Sequence, residues 1–490
     1  MKGRFKMSKR IIAIILAAIL VVALVGCGKQ KRKIIQLTLS TEDSEAILGA
    51  AGIKLPAAED TSASGSTIQY YGWHDSVHNY SEDEIIQTGY WTFREKYGCE
   101  VEWIECTWSD RFTSLANLVL AGTSPDYYDG YAETFPKYYL NGVFAPVDGY
   151  VDYDDPLWSG MKDFADKYFS LGNHHYMFVT DATFNNVCAY NRRVVEEWGF
   201  DDPAELFTND EWTWKVFYDM CLDFSDPDAD RYAIDGWGAS PAFMTSSGTM
   251  LVTLDAEEAK FVSNIDDPRL ERAATYLYNL NKNQCVYPIW NNGWSTRGSG
   301  NEGAGMNEGL CLFWLRGTWT FTGPVDEISP VWGDIANGEV MFCPIPRDEA
   351  GDGNYYVDTI PSGICLIKGA QNPEGVALYA ACCRFKVIDP IVVDIDKKQL
   401  KEVYLWNDEM LEMVDTMYEL AQTNSTVINY EGGLGDNINK FISNCQSITT
   451  SVEPTSWAQA KEANADALQA TVDELNANIS IFIDKSKTED

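Results

Sequence analysis

Three short segments set an aromatic ring close to a carboxylate: Trp73-His74-Asp75, Trp108-Ser109-Asp110 and Tyr131-Ala132-Glu133. An aromatic face stacks on flat apolar surfaces, and a carboxylate takes hydrogen bonds from hydroxyl donors. Such a set is suited to holding a polar ligand that has apolar faces. Trp73, His74, Asp75, Trp108 and Glu133 are therefore candidate ligand contacts, and Trp237 is a further aromatic candidate. The chain is rich in such rings, with 16 Trp, 26 Tyr and 21 Phe. Core packing accounts for many of them and is the competing reading for each single one. Metal chemistry has little support. His74 and His78 are four apart but straddle an expected loop, and His174 and His175 point apart on a strand. Asp226-x-Asp228-x-Asp230 begins like a calcium loop, yet Arg231 stands at the sixth position and Trp237 at the twelfth, so an acidic surface turn is expected. Gly298-Ser299-Gly300-Asn301-Glu302-Gly303 has dinucleotide-loop spacing but follows no strand, and reads as a loop. No catalytic residue and no cofactor is expected. Abundant carboxylates leave a secreted glycosidase as a rival reading, which turnover would separate from binding.

The elements that must carry these residues read as an α/β opening. Thr67 to Trp73, Glu100 to Ile104 and Tyr127 to Tyr131 are expected strands. Between them, Ser81-Glu82-Asp83-Glu84 reads as a capping box opening a helix with Ile86, Tyr90, Phe93 and Tyr97 on one face and Gly98 at its end. Asp110 to Ala121 is a second amphipathic helix, stopped by Gly122. In doubly wound sheets ligands sit beyond the carboxyl ends of the strands, which is where the three aromatic–acid segments fall. A length of 490 residues implies two domains. With 37 basic against 73 acidic residues, a formal charge of −36, the chain repels phosphate backbones, and nucleic acid is not an expected partner.

The first residues read as an export signal. Basic residues from Lys2 to Arg10 precede an apolar run, Ile11 to Val25, which spans roughly 22 Å as a helix, short of a ~30 Å bilayer core. The run ends Leu24-Val25-Gly26-Cys27, which resembles the lipobox of bacterial lipoproteins. That resemblance implies cleavage after residue 26, lipidation of Cys27 and anchoring to the membrane by two acyl chains. Residues 27–66 read as a lipidated N-terminus and flexible tether, with at most a short helix inside it. The remaining eleven cysteines are scattered, lack any Cys-x-x-Cys and are expected to be mostly small buried apolar residues.

A series of segments, in order, resembles the family 1 extracellular solute-binding proteins of bacterial ABC importers, the group that includes maltose-binding protein. They are Phe93 to Asp126 with its Ala-Gly-Thr-Ser-Pro-Asp ending, Tyr139 to Val147, Ala189 to Val194, Glu211-Trp212-Thr213-Trp214, Glu308 to Trp319, and Pro344-Ile345-Pro346 leading to Ile367 to Glu374. The resemblance implies a periplasmic-binding-protein-like, class II fold: two doubly wound α/β lobes joined by hinge strands, with ligand in the cleft. It implies crossings at Asn173 to Thr180 and Tyr356 to Gly363, and a less clear third near Asp389 to Asp394. Lobe 1 would then hold 67–176 and 360–390, and lobe 2 180–356 and 395–490, the latter including a final helix carrying Leu468, Val472, Leu475 and Ile479. Trp319 matches the Gly-x-Trp position that stacks sugar in the maltose-binding relatives, and Asn185 and Asn186 would face the cleft just past the first hinge. The implied partners are a carbohydrate, the permease subunits of an ABC importer and, through Cys27, the membrane. The chain would act as a monomer on the extracellular face of the cell membrane or in the periplasm. A surface glycan-capture lipoprotein without a transporter is the remaining alternative.

Overall fold

The computed structural model describes residues 33–172, 174–235, 238–288, 297, 303–423, 425–440 and 455–489. The candidate lipidation site Cys27, the export signal, Trp237 and the glycine-rich loop before Gly303 lie outside these residues. Ten strands build two sheets: β1 (Thr67–Gly72), β2 (Glu100–Glu105), β3 (Tyr127–Gly130), β4 (Phe178–Phe184), β5 (Val187–Asn191), β6 (Tyr232–Asp235), β7 (Cys311–Arg316), β8 (Val340–Cys343), β9 (Val357–Leu366) and β10 (Thr426–Ile428). The first sheet runs β10-β9-β3-β1-β2, with β4 also on β9, and the second runs β8-β5-β7-β6. In the first, β1 pairs in parallel with β2 and β3, and a helix leads from β1 to β2 and another from β2 to β3. This is the doubly wound opening expected from the strand–helix alternation.

Each sheet carries its own core. Ile68, Phe93, Tyr127, Phe144 and Val179 belong to the first and are at most 1–2 % exposed. Tyr190, Phe217, Phe313, Trp314 and Phe342 belong to the second. β5 reads Val-Cys-Ala-Tyr-Asn and is buried along its whole length, as a central strand covered on both faces must be. Asn191 ends it by capping the next helix, its Oδ1 accepting from Val194 N at 3.2 Å. Thr213 caps helix Trp214–Phe224 in the same way, and Phe217, Met220, Cys221 and Phe224 face the second core.

The lobes are joined by β4 and β9, antiparallel from Thr359↔Phe184 to Ile364↔Phe178, with a register shift between Ser362 and Gly363. β4 thus begins later than the segment expected from Asn173. Near Asp389 there is no strand. Asp389 caps helix Pro390–Val403 by accepting from Ile391 N at 3.0 Å, and Pro390 at the first helical position needs no donor partner. The chain passes between the cores within that helix: Val392 and Ile395 join the first, Tyr404 and Trp406 the second.

Three sequence expectations differ from the structure. The helix expected from Ser81 begins at Thr88, because Glu84 Oε2 accepts from Tyr80 N (2.9 Å) and Asn79 Nδ2 (3.3 Å), closing a turn instead. Inside the segment read as a tether, Thr41–Lys54 is a 14-residue helix capped by Ser40. Its Ile47, Ala50 and Ala51 are buried in the first core at i, i+3 and i+4, a stripe of small residues that gives little apolar signal. The final helix, Trp457–Glu489, opens on a reciprocal capping box in which Gln459 Oε1 accepts from Ser456 N at 3.1 Å and Ser456 Oγ from Gln459 N at 3.4 Å. Its Leu468, Val472, Leu475 and Ile479 are buried in the first core, not the second. Asn476 on the same helix holds the backbone of Phe261 at both ends (2.9 and 2.8 Å), tying hairpin Val252–Ser263 to lobe 1.

Candidate functional site

Trp73 follows β1, Trp108 follows β2, and Glu133 lies in the 3-10 turn Ala132–Thr134 after β3. Parallel strands bring all three to one rim. The indoles of Trp73 and Trp108 meet edge to face, centroids 5.3 Å apart at 80°, and are 44 % and 46 % exposed. Arg111 organises this rim. Its guanidinium lies 3.6 Å from the centroid of Trp108, and its Nη2 pairs with Glu133 Oε2 at 2.6 Å. Burial pushes the Glu133 carboxyl above its ordinary value, and the attraction of Arg111 only partly opposes it. For Arg111 burial works against the charge, but Glu133 outweighs it and raises its pKa. Arg111 is absent from the sequence expectations, though one signal marked it. A cation as the first residue of helix Arg111–Ala121 is unfavourable to the helix dipole, so it needs a carboxylate nearby.

His74 and Asp75 have other surroundings. His74 is half-buried against Trp73, ring centroids 4.2 Å apart, and burial lowers its pKa. Asp75 accepts from His78 Nδ1 at 2.8 Å, from Tyr80 Oη and from the backbone of Val77 and His78. Burial alone would raise its carboxyl, but the His78 and Tyr80 bonds outweigh this and hold it below the ordinary value. Its side chain is 3 % exposed. Asp75 therefore closes a local turn, and its acceptors are already engaged.

On the other lobe, Asn185 and Asn186 both donate to Asp358 Oδ2, at 2.9 and 3.0 Å. Asn186 Oδ1 in turn accepts from Arg316 Nη1 at 3.1 Å. Asp358 lies on crossing strand β9 and burial pushes its carboxyl up to about 6, against the opposing effects of Asn185 and Arg316. The amide pair thus braces the hinge, and Asn186, 1 % exposed with both amide atoms engaged, does not face outward as the sequence reading of a ligand-facing pair expected. Trp319 sits in the 3-10 turn Thr318–Phe321 and is 53 % exposed. Its ring lies over Gly317, where an added Cβ would fall 2.4 Å from the indole and 2.9 Å from Asn185 O. The loop at Gly432 connects the two sides. A Cβ there would meet Glu133 Cβ at 3.0 Å, and Glu431 acts electrostatically on Asp358.

Two open surface pockets are lined by other residues. One of about 450 Å³ runs between the final helix and lobe 1, lined by Lys137, Asp436, Glu474, Phe482 and Lys485 among others. One of about 250 Å³ lies beside Ser247, Arg269, Asp352 and Tyr356. Trp73, Trp108 and Trp319 form open surface. Asp226 and Asp230 pair with Arg231 (3.1 Å) and Arg297 (2.6 Å), and among the described residues no group of three acidic, His or Cys side chains is placed to hold a metal ion.

His175 sits before β4 between two carboxylates, Nδ1 2.8 Å from Asp148 and Nε2 2.7 Å from Asp166. Burial would depress its pKa, but the two acids outweigh burial and raise it; Asp148 is held low by His175 against its own burial. The His175 contribution to stability is present below the ordinary value of 6.5 and is lost as pH rises through the raised one. The Asp148 contribution is present above 3.8 and is lost as pH falls through the depressed value. Thermal stability is expected to fall as the pH rises past 6.5 and through the raised value, and His175→Gln to flatten that slope. Equal slopes for the two proteins in buffered melts would exclude the triad as its source.

The profile of the bacterial extracellular solute-binding proteins matches residues 91–383. No curated protein matches the sequence. Among solved structures, the chain is similar to the ABC substrate-binding protein Lmo0181 from Listeria monocytogenes in complex with cycloalternan, at 16% identity over 85% of this chain and 99% of that one, TM-score 0.58. It is similar to the GacH receptor of Streptomyces glaucescens, solved unliganded and with acarbose, at 14% identity over 83% and 98%, TM-score 0.58. It is also similar to the galacto-N-biose/lacto-N-biose I-binding protein of Bifidobacterium longum with lacto-N-biose, at 16% identity over 84% and 98%, TM-score 0.56. At these identities the likeness is one of fold: the two-lobed, periplasmic-binding-protein-like architecture.

Proposed function

Because the chain belongs to the bacterial extracellular solute-binding protein family, we propose that it is the substrate-binding subunit of an ABC importer, capturing a sugar or oligosaccharide between its lobes and closing on it for delivery to the permease. The observation that carries the carbohydrate reading is the trio of half-exposed indoles, Trp73 and Trp108 on one lobe and Trp319 on the other, each beside polar groups. Exposed rings of this size stack on the apolar face of a pyranose, and neighbouring carboxylates and amides take its hydroxyls. The saccharides bound by the structural relatives support the same class. The two crossing strands β4 and β9 supply the hinge, and binding acts without bond making.

Cys27 anchors the chain to the outer face of the membrane in this reading, on the strength of Leu24-Val25-Gly26-Cys27. No helix among the described residues is long and apolar enough to cross a membrane. Mass spectrometry of the membrane-associated protein tests the anchor, and an unmodified chain still beginning at Met1 would refute it.

A thermal-shift panel of neutral oligosaccharides, uronates and peptides tests the ligand class. A ligand at 100 times its Kd should stabilise the protein by about 2.7 kcal/mol. Small-angle scattering with the winning sugar should show a smaller radius of gyration. A panel in which only peptides shift the melt would overturn the carbohydrate reading, and product release would make the protein an enzyme.

A further inference from the structure

The ten described cysteines carry no disulfide, and eight are buried. Most of these thiols have partners outside their own kind. Cys99 donates to Ala63 O at 3.2 Å, Cys285 to Asn283 O at 3.7 Å and Cys311 to Phe313 O at 3.4 Å, while Cys365 lies against Thr134 and Tyr139. Cys188 and Cys343 differ. They stand directly opposite each other on β5 and β8, antiparallel neighbours in the second sheet. Each is the other's cross-strand partner, and both are 0 % exposed.

Their register fixes the geometry. Arg192 N donates to Glu339 O at 2.7 Å, one step beyond the Asn191↔Val340 pair. Hydrogen-bonded and non-hydrogen-bonded pairs alternate along an antiparallel ladder, so Tyr190–Met341 and Cys188–Cys343 are hydrogen-bonded pairs. Cα atoms in such a pair stand ~5.5 Å apart, inside the range that a disulfide spans. Directly opposed residues also share a face of the sheet, so the two side chains stand side by side on one face.

We propose that Cys188 and Cys343 are a redox site, a dithiol that closes to a cross-strand disulfide when the chain meets an oxidant outside the cell. The oxidant is a low-molecular-weight disulfide or a protein carrying one. One cysteine thiolate attacks a sulfur of that disulfide and expels a thiolate, forming a mixed disulfide. The second cysteine thiolate attacks the protein's sulfur in this intermediate, forming the Cys188–Cys343 bond and expelling the second thiolate. Two protein thiols are oxidised, one disulfide is reduced to two thiols, and the released thiolates take up the two protons. Full burial places the exchange during folding, before the sheet is covered, and afterwards shields the product from reduction. The bond would staple two segments of lobe 2 more than a hundred residues apart in sequence without touching the cleft.

The whole mature protein is refolded in a glutathione disulfide buffer or in reductant, then alkylated in denaturant and mapped without reduction. The oxidised sample should contain one linked peptide pair, Cys188 with Cys343, should be lighter before alkylation by two hydrogen atoms, and should melt higher than the reduced sample. Cys188→Ser should leave Cys343 alkylated and remove the difference in melting. If that variant does not fold, the wild-type peptide map decides alone. Alkylation of both Cys188 and Cys343 in fully refolded oxidised protein, or linkage of either to another cysteine, overturns the proposal.

Discussion

Trp319→Ala is expected to weaken binding of the ligand found by the panel about thirty-fold, near 2 kcal/mol, while leaving the ligand-free melt unchanged. The two parts of the result follow from one fact. The indole is 53 % exposed, so its truncation removes little core and should change folding by no more than about 0.5 kcal/mol. The same exposure leaves its face open to a ligand. Gly317→Ala separates position from presence. Its new Cβ falls 2.4 Å from the indole and 2.9 Å from Asn185 O, so the ring must swing away and the turn must shift slightly, and the same loss of affinity should appear with the tryptophan still in place. Wild-type affinity in Trp319→Ala would put the ligand elsewhere. If the ligand-free protein instead lost several kcal/mol, the ring would be a packing residue and its exposure misleading.

Arg111→Met should destabilise the protein by about 3 kcal/mol. Arg111 and Glu133 are 11 % and 18 % exposed as side chains, and the substitution leaves a buried carboxylate without its counter-charge. It also removes the cation from the face of Trp108, a contact worth a further ~0.5–2 kcal/mol. Because burial already lifts the Glu133 carboxyl, the variant should recover part of its loss at low pH, where that group takes a proton. The double variant Arg111→Met/Glu133→Gln should be more stable than the single one, since it carries no uncompensated charge. Denaturant titrations of the three proteins decide this. A cost below about 1 kcal/mol with no rescue by the second change would mean that solvent screens the pair.

Local rules reached far along this chain. Strands at Thr67, Glu100 and Tyr127 alternate with helices in the sequence and in the structure, because the periods of two and 3.6 that bury one face are written within a few residues. Gly98 and Gly122 end their helices at positive φ, 65° and 70°, as a residue without Cβ can. The strand-end positions of Trp73, Trp108 and Glu133 follow from the same alternation.

Elements that depend on distant partners were not legible in that way. Helix Thr41–Lys54 presents only Ile47, Ala50 and Ala51, too small a stripe to announce itself until a core stands against it. The final helix shows its apolar face plainly, but nothing in that face says which lobe receives it. Asn476 and the hairpin around Phe261 decide that across more than two hundred residues. Asp75, a carboxylate at a strand end like Glu133, is turned inward by His78 and Tyr80, whereas Glu133 meets Arg111. By itself, then, the sequence determined the α/β alternation, the glycine helix ends at Gly98 and Gly122 and the aromatic residues at the strand ends, because these depend on neighbours in the chain. Tertiary structure alone decided that Glu133 meets Arg111, which lobe the last helix joins and how Asp358 braces the hinge, because each is a contact between segments that only folding brings together.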